Sequence, residues 1–115
     1  MLEVLAKRTA DRITGEYAIT IPWDQLIELA LQLIEQCMAN RKTFMASAKS
    51  PTVVQRMAMN ITIRRTLGIT GRREVVAIQQ SMLGVAAEAQ ESELISCHAE
   101  ACTALGIDYD HDPQN

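Results

Sequence analysis

The segment from Pro22 to Met38 constrains the fold of this 115-residue chain more than any other feature. Its apolar residues recur at intervals of three and four, which places them on one face of a helix, opposite acidic and amide side chains. Pro22 suits the first helical position, and Asp24 adds negative charge to the first turn. The pattern therefore predicts an amphipathic helix. Its apolar residues are Trp23, Leu26, Ile27, Ala30, Leu33, Ile34 and Cys37, and Leu29 and Leu31 broaden that surface.

A second helix is predicted after Ser50 and Pro51, which are a favoured N-cap and a favoured first helical residue. Gly68 supplies a natural end, because glycine readily adopts the left-handed conformation found after a helix C-terminus. Apolar residues recur on one face of this helix. That face consists of Val54, Met57, Ala58 and Ile61.

Helical spacing resumes in the second half of the chain. Thr70 is the expected N-cap of a third helix over residues 72–89, and Gly106 ends the helical pattern. The same spacing persists over residues 92–105. The two stretches are therefore either one long helix or two helices, the second capped by Ser92.

Two other stretches allow alternative structures. Residues 1–20 fit a short helix ended by Gly15, but residues 17–21 alternate like a strand that would pair with a second copy across a dimer axis. Residues 40–49 either prolong the first predicted helix or form a loop, which would leave Phe44 exposed.

These elements predict an all-α fold, a small bundle of three to five helices, with a dimer as one option for its assembly. A chain of this length can bury its own core, so we expect residues 1–107 to form a single helical domain. Within it, residues 1–20 would be an N-terminal arm or short helix. The acidic residues 108–115 are expected to form a flexible tail. Aromatic residues make up only 3% of the chain, which disfavours RNA recognition by base stacking.

Composition also predicts where the protein resides. Lys7, Arg8, Asp11 and Arg12 stand where a secretory signal would need an apolar run. No stretch reaches the roughly 18 uncharged apolar residues of a membrane span. The three cysteines fall within helical patterns rather than in a loop-rich disulfide framework. We therefore expect a cytoplasmic protein with reduced thiols and no membrane contact.

Charge is distributed unevenly along the chain, whose formal net charge is −3. Residues 36–73 include eight basic residues and no acidic residue. Residues 1–35 include three basic and six acidic residues, and residues 74–115 include eight acidic residues and no basic residue. The molecule is therefore electrically polarised, with a basic central third.

The basic segment 41–73 has two interpretations. Arg56, Asn60 and Arg64 lie four residues apart and form one stripe on the second predicted helix, which would suit a row of phosphates. In the interpretation that we favour, the arginines instead form solvated ion pairs with glutamates between residues 88 and 100, either within the subunit or across a subunit interface. The residues that would contact an anion or a nucleic acid are Arg56, Arg64, Arg65, Arg72 and Arg73.

Residues that could carry chemistry are few. His98 and Cys102 stand four residues apart on one helical face, with Cys97 adjacent, but two or three such residues do not make a zinc site. The chain has no glycine-rich phosphate loop, no Ser/His/Asp set and only two histidines. We therefore expect no catalytic residue, no metal site and no cofactor.

The expected function is that of a non-enzymatic helical protein–protein interaction or assembly module. The apolar surface of residues 22–38 favours a homo-oligomer, such as a homodimer, and a different protein partner is the other option. The alternative function is a small nucleic-acid-binding protein that uses the basic segment 41–73 on phosphates. The candidate oligomer interface consists of Trp23, Ile27, Leu31 and Ile34.

Overall fold

A computed structural model describes residues 1–38 and 40–107. Within these ranges the chain forms six helices and no strand, which confirms the all-α class. The predicted number of three to five helices is wrong, because residues 2–17 and 41–49 each form a full helix of their own. The predicted tail, residues 108–115, lies outside the described residues. The helices are α1 (Leu2–Tyr17), α2 (Trp23–Cys37), α3 (Arg41–Lys49), α4 (Val53–Leu67), α5 (Arg72–Glu88) and α6 (Glu91–Leu105).

Helix α1 is longer than predicted and takes the place of the alternative strand. Gly15 remains helical, and the helix ends at Ala18, whose φ of 54° is left-handed. Residues 18–22 then connect α1 to α2 without forming a strand. The alternation that suggested a strand has another origin, because Ile19 and Ile21 pack against a core cluster while the residue between them is exposed.

Helix α2 confirms the amphipathic helix predicted for residues 22–38, and Pro22 directly precedes it. Helix α3 is separate from it. The Asn40 side chain caps α3 by accepting a hydrogen bond of 2.9 Å from the Thr43 backbone N–H. Phe44 is buried in this helix, so neither the loop nor the prolonged α2 forms.

Helix α4 begins slightly later than predicted. Its N-cap is Thr52 rather than Ser50, and Thr52 forms a capping box with Gln55 in which each side chain bonds the other residue's backbone N–H. Gly68 ends the helix with a left-handed φ of 67°, as predicted.

Residues 72–105 form two helices, which settles the alternative left open by the sequence. The Glu93 carboxylate accepts a hydrogen bond of 3.0 Å from the backbone N–H of Gln90, so α6 begins after Gln90 rather than after Ser92. Helix α5 begins after Gly71, one residue later than the predicted cap at Thr70. Gly106 ends α6 in the left-handed conformation, as predicted.

The buried core divides into two apolar clusters. The first joins α1, α2, α3, α5 and α6 around Phe44 and Leu94, and the second joins α1, α2, α4 and α5 around Leu29 and Ile63. Helix α1 packs mainly against α5, and α2 packs mainly against α4. Because α4 contacts chiefly α2 and α5, one side of α4 is left without a helix against it among the described residues.

Candidate functional site

Helix α4 presents apolar side chains to solvent. Val53 and Val54 are 71% and 75% exposed, and Met57 and Ile61 are 60% and 54% exposed. These four residues, called the apolar stripe below, follow one side of the helix, and each lies about one turn or less from the next. Residues of these types are usually buried, so a contiguous group of them on the surface marks a candidate binding site.

The opposite side of α4 faces the bundle and is partly polar. Met59 and Ile63 belong to the second core cluster, and Thr62 is buried beside them. The Thr62 hydroxyl accepts a hydrogen bond from the side-chain amide of Gln36 on α2. Two further polar pairs join α4 to its neighbours: Thr66 with Gln32 at 3.0 Å, and Gln55 with Ser47 at 2.6 Å.

Val54, Met57 and Ile61 of the predicted apolar face therefore point to solvent rather than into the core, and Ala58 of the same face is half-buried. Helix α4 has two faces with helical spacing. One is apolar, and the other mixes polar with apolar residues. The mixed face is buried because α2 and α3 supply hydrogen-bond partners, and a buried polar group with a partner costs little free energy. These partners come from other helices, so the sequence of α4 did not reveal them.

Four exposed arginines border the apolar stripe. By helical spacing Arg56 and Arg65 lie on either side of the stripe, while Arg72 and Arg73 open α5 just after the turn that ends α4. Within residues 1–38 and 40–107, the side chains of these four arginines form no ion pair and no hydrogen bond. The site therefore combines apolar contact area with positive charges that are available to a partner.

Two members of the predicted anion-binding stripe have other surroundings. Nη1 of Arg64 donates a hydrogen bond of 2.6 Å to the Thr70 carbonyl oxygen, so this side chain fastens the turn between α4 and α5. Asn60 is half-buried, and its Oδ1 is buried without a hydrogen-bond partner among the described residues. The predicted stripe is consequently not a continuous row of exposed side chains.

The glutamates of α5 and α6 pair with α1. Arg12 lies 2.5 Å from Glu88, and Arg8 lies 2.9 Å from Glu93. The N-terminal amino group lies 2.5 Å from Glu100. Within one subunit, Glu88, Glu93 and Glu100 therefore pair with α1 rather than with the arginines between residues 56 and 73. Pairing of those arginines with glutamates across a subunit interface stays a prediction.

Two of these carboxylates have lowered pKa values. For Glu93 the main cause is the hydrogen bond from the Gln90 backbone, and Arg8 adds to it. For Glu100 the main cause is the hydrogen bond from the N-terminal amino group, and the Leu2 backbone N–H adds to it. Both groups therefore stay ionised at pH values where ordinary glutamates begin to protonate.

The residues of the predicted oligomer interface on α2 do not share one environment. Trp23 is 43% exposed, whereas Ile27 and Leu31 are half-buried. Ile34 is buried in the first core cluster. Trp23 therefore offers most of the accessible surface of this set, and the interface itself stays a prediction.

His98 and Cys102 lie together in the interior. Both are buried, and Sγ of Cys102 lies 3.8 Å from each ring nitrogen of His98. The Phe44 ring packs on His98 with 5.0 Å between ring centroids. Burial lowers the pKa of His98, and the nearby charge of Arg41 lowers it further. No group of three or more His, Cys, Asp or Glu side chains that could hold a metal occurs among the described residues.

No helix in the described part of the chain is long and apolar enough to cross a bilayer. Comparisons with protein-family models, with curated proteins and with solved structures each found no match. The surface chemistry of α4 is therefore the basis on which a function can be proposed.

Proposed function

We propose that the chain is a non-enzymatic interaction module that binds a protein partner through the exposed side of α4. The observation that carries this proposal is the apolar stripe, in which all four side chains are more than half exposed. A helix face of this kind, with anchors spaced three and four residues apart, is the surface that helix-in-groove or helix-on-helix recognition uses. Covering it would bury apolar area, which is the main favourable term in protein association.

The charges around the stripe indicate the chemistry of the partner. Arg56 and Arg65 flank the stripe, and Arg72 and Arg73 lie beyond one end, all without a partner among the described residues. A partner with apolar side chains in its centre and carboxylates at its rim would match this arrangement. A second copy docked through the same face would bring the same arginines together, so an acidic partner fits better than self-association through α4.

A direct test is fluorescence anisotropy with a labelled amphipathic helical peptide that has leucines at helical spacing and glutamates on its other positions. We expect saturable binding at micromolar concentrations. The double variant Met57→Gln/Ile61→Gln removes apolar contact without changing charge and should weaken binding at least about tenfold. Arg65→Glu/Arg72→Glu should also weaken binding. Val4→Gln, a similar change at an exposed valine on α1, should leave it unchanged.

The second candidate function is nucleic-acid binding, and the observation that favours it is the group of arginines that have no partner in residues 1–38 and 40–107. A labelled DNA duplex in the same assay separates the two. Tight duplex binding that falls steeply with salt, needs Arg65 and Arg72, and ignores Met57→Gln/Ile61→Gln would overturn the protein-partner proposal in favour of this one. Absence of saturable binding to either the peptide or the duplex would overturn both.

A further inference from the structure

An apolar cavity of about 120 Å³ lies between the helices where the two core clusters meet, and it is partly open to solvent. All six helices contribute to its wall. Leu5, Phe44 and Leu94 belong to the first cluster, whereas Leu33 and Met59 belong to the second. The cavity is therefore a gap between two separately packed halves of the core rather than a feature of the α4 surface.

The wall of the cavity is apolar and carries no charged side chain. Its two hydroxyl groups are engaged elsewhere: Thr9 donates a hydrogen bond of 2.9 Å to the Leu5 carbonyl oxygen, and the Ser47 oxygen accepts one from Gln55. The cavity thus offers little to a water molecule, which needs two to four polar partners to occupy a buried site.

The thiols in the wall are neutral. Burial raises the pKa of Cys97 to about 11, with a further contribution from the charge of Glu100, and burial also raises the pKa of Cys37. At neutral pH the wall therefore carries neither a cation that could hold a carboxylate nor an anion that could hold an amine. These conditions exclude charged ligands and favour uncharged ones.

The volume of the cavity suits a small molecule. An engineered apolar cavity of roughly 150 Å³ in another protein stays dry and binds benzene or xenon. Empty apolar space of this kind lowers stability, and a ligand that restores the missing contacts is bound for the same reason. The wall meets solvent at its half-buried residues, which are Ala30, Cys37, Ala48, Met82, Leu83 and Ala86.

We propose that this cavity is a binding site for a small, uncharged, apolar molecule about the size of benzene. The site is independent of the α4 surface, since only Met59 of α4 lines it and the apolar stripe lies on the other side of that helix. Failure of one proposal therefore leaves the other standing.

The test is a titration of benzene into the protein labelled with ¹³C at the methionine methyl groups, followed by NMR. We expect saturable shifts at Met59 and Met82, which line the cavity, and none at the exposed Met57, two residues from Met59. Benzoate, which has the same ring and a negative charge, should cause no saturable shift. Xenon should shift the same two methionines as benzene.

Two variants that fill the cavity complete the test. Ala86→Leu on α5 and Ala30→Leu on α2 each place a larger side chain in the wall and should reduce benzene affinity at least about tenfold. Because they lie on different helices, one variant suffices if the other fails to fold. The proposal is overturned if benzene causes no saturable shift, if Met57 shifts as much as Met59, or if every folded filling variant binds benzene like the wild type.

Discussion

The side-chain amide of Gln36 donates a hydrogen bond to the hydroxyl of Thr62, joining α2 to α4 through two polar groups at a position where the helix interface could have been apolar. Thr62 is only 1% exposed. The side of α4 that carries this bond, together with Met59 and Ile63 of the second core cluster, faces inward, and the apolar stripe lies on the outer side. The function proposed for α4 depends on that orientation.

Replacing Thr62 by valine tests the contribution of this bond. Thr62→Val keeps the shape of the side chain but removes the acceptor of the Gln36 amide, so we expect the free energy of unfolding to fall by about 1 kcal/mol. Urea denaturation followed by circular dichroism measures it. Thr103→Val, the same change at an exposed position whose hydroxyl bonds only its own helix, is the control and should have a smaller effect. Equal losses would mean that the Gln36 bond contributes nothing.

Reversing the charge of an arginine should have opposite consequences at two places. Arg12 contacts Glu88 and lies 3.8 Å from Glu16, so Arg12→Glu places like charges together and should cost about 1 kcal/mol of stability. Arg72 has no side-chain partner among the described residues and is the first residue of α5. A negative charge at this end of a helix interacts favourably with the helix dipole. Arg72→Glu should therefore leave the unfolding midpoint unchanged or slightly raised. A clear loss of stability in Arg72→Glu would show that this arginine has a structural role.

Stability should decrease in mild acid because of His98. Its pKa lies below the usual value of 6.5, mainly through burial, so the unfolded chain binds this proton more readily than the folded chain. The stabilisation is fully present above a pH of about 6.5 and is lost as the pH falls toward the folded-state pKa. We expect the urea midpoint to decrease between about pH 7.5 and about pH 5.5.

The control for that pH dependence is His98→Gln, which cannot titrate in this range. This variant should have a lower midpoint at every pH, because it loses the packing of Phe44 on the His98 ring, but a flatter pH profile. An equally steep profile in His98→Gln would assign the pH dependence to other groups.

Local signals in the sequence predicted much of the fold. The three-and-four spacing of residues 22–38 gave α2, and the left-handed preference of glycine gave the ends of α4 and α6 at Gly68 and Gly106. The boundary between α5 and α6 was left open, because Gln90 is not a strong N-cap residue by type. Gln90 and Glu93 form a capping box, in which the Gln90 backbone N–H donates to the Glu93 carboxylate. The three-residue spacing between them is the sequence signal that could have placed the boundary.

The candidate site could be predicted only in part. The four arginines that have no partner within the described ranges belong to the basic segment, and their charge was visible in the sequence. The exposure of Met57 and Ile61 could not be predicted from the sequence, since the apolar face of a helix is ordinarily the buried one. Finding the correct side required knowing that Gln36, Gln32 and Ser47 on other helices satisfy the polar groups on the mixed face of α4. Such long-range hydrogen bonds have no signature within the helix itself.

The most direct test of the orientation of α4 compares two methionines on opposite sides of this helix. Met57 is 60% exposed, and Met59 is 8% exposed. Met57→Asp and Met59→Asp change helix propensity equally, so the difference in their urea midpoints reports burial alone. Met59→Asp should cost at least about 3 kcal/mol or prevent folding, because it buries an unpaired charge, whereas Met57→Asp should cost less than about 1 kcal/mol. Equal losses, or a larger loss for Met57→Asp, would contradict the account and remove the basis for a binding surface on α4.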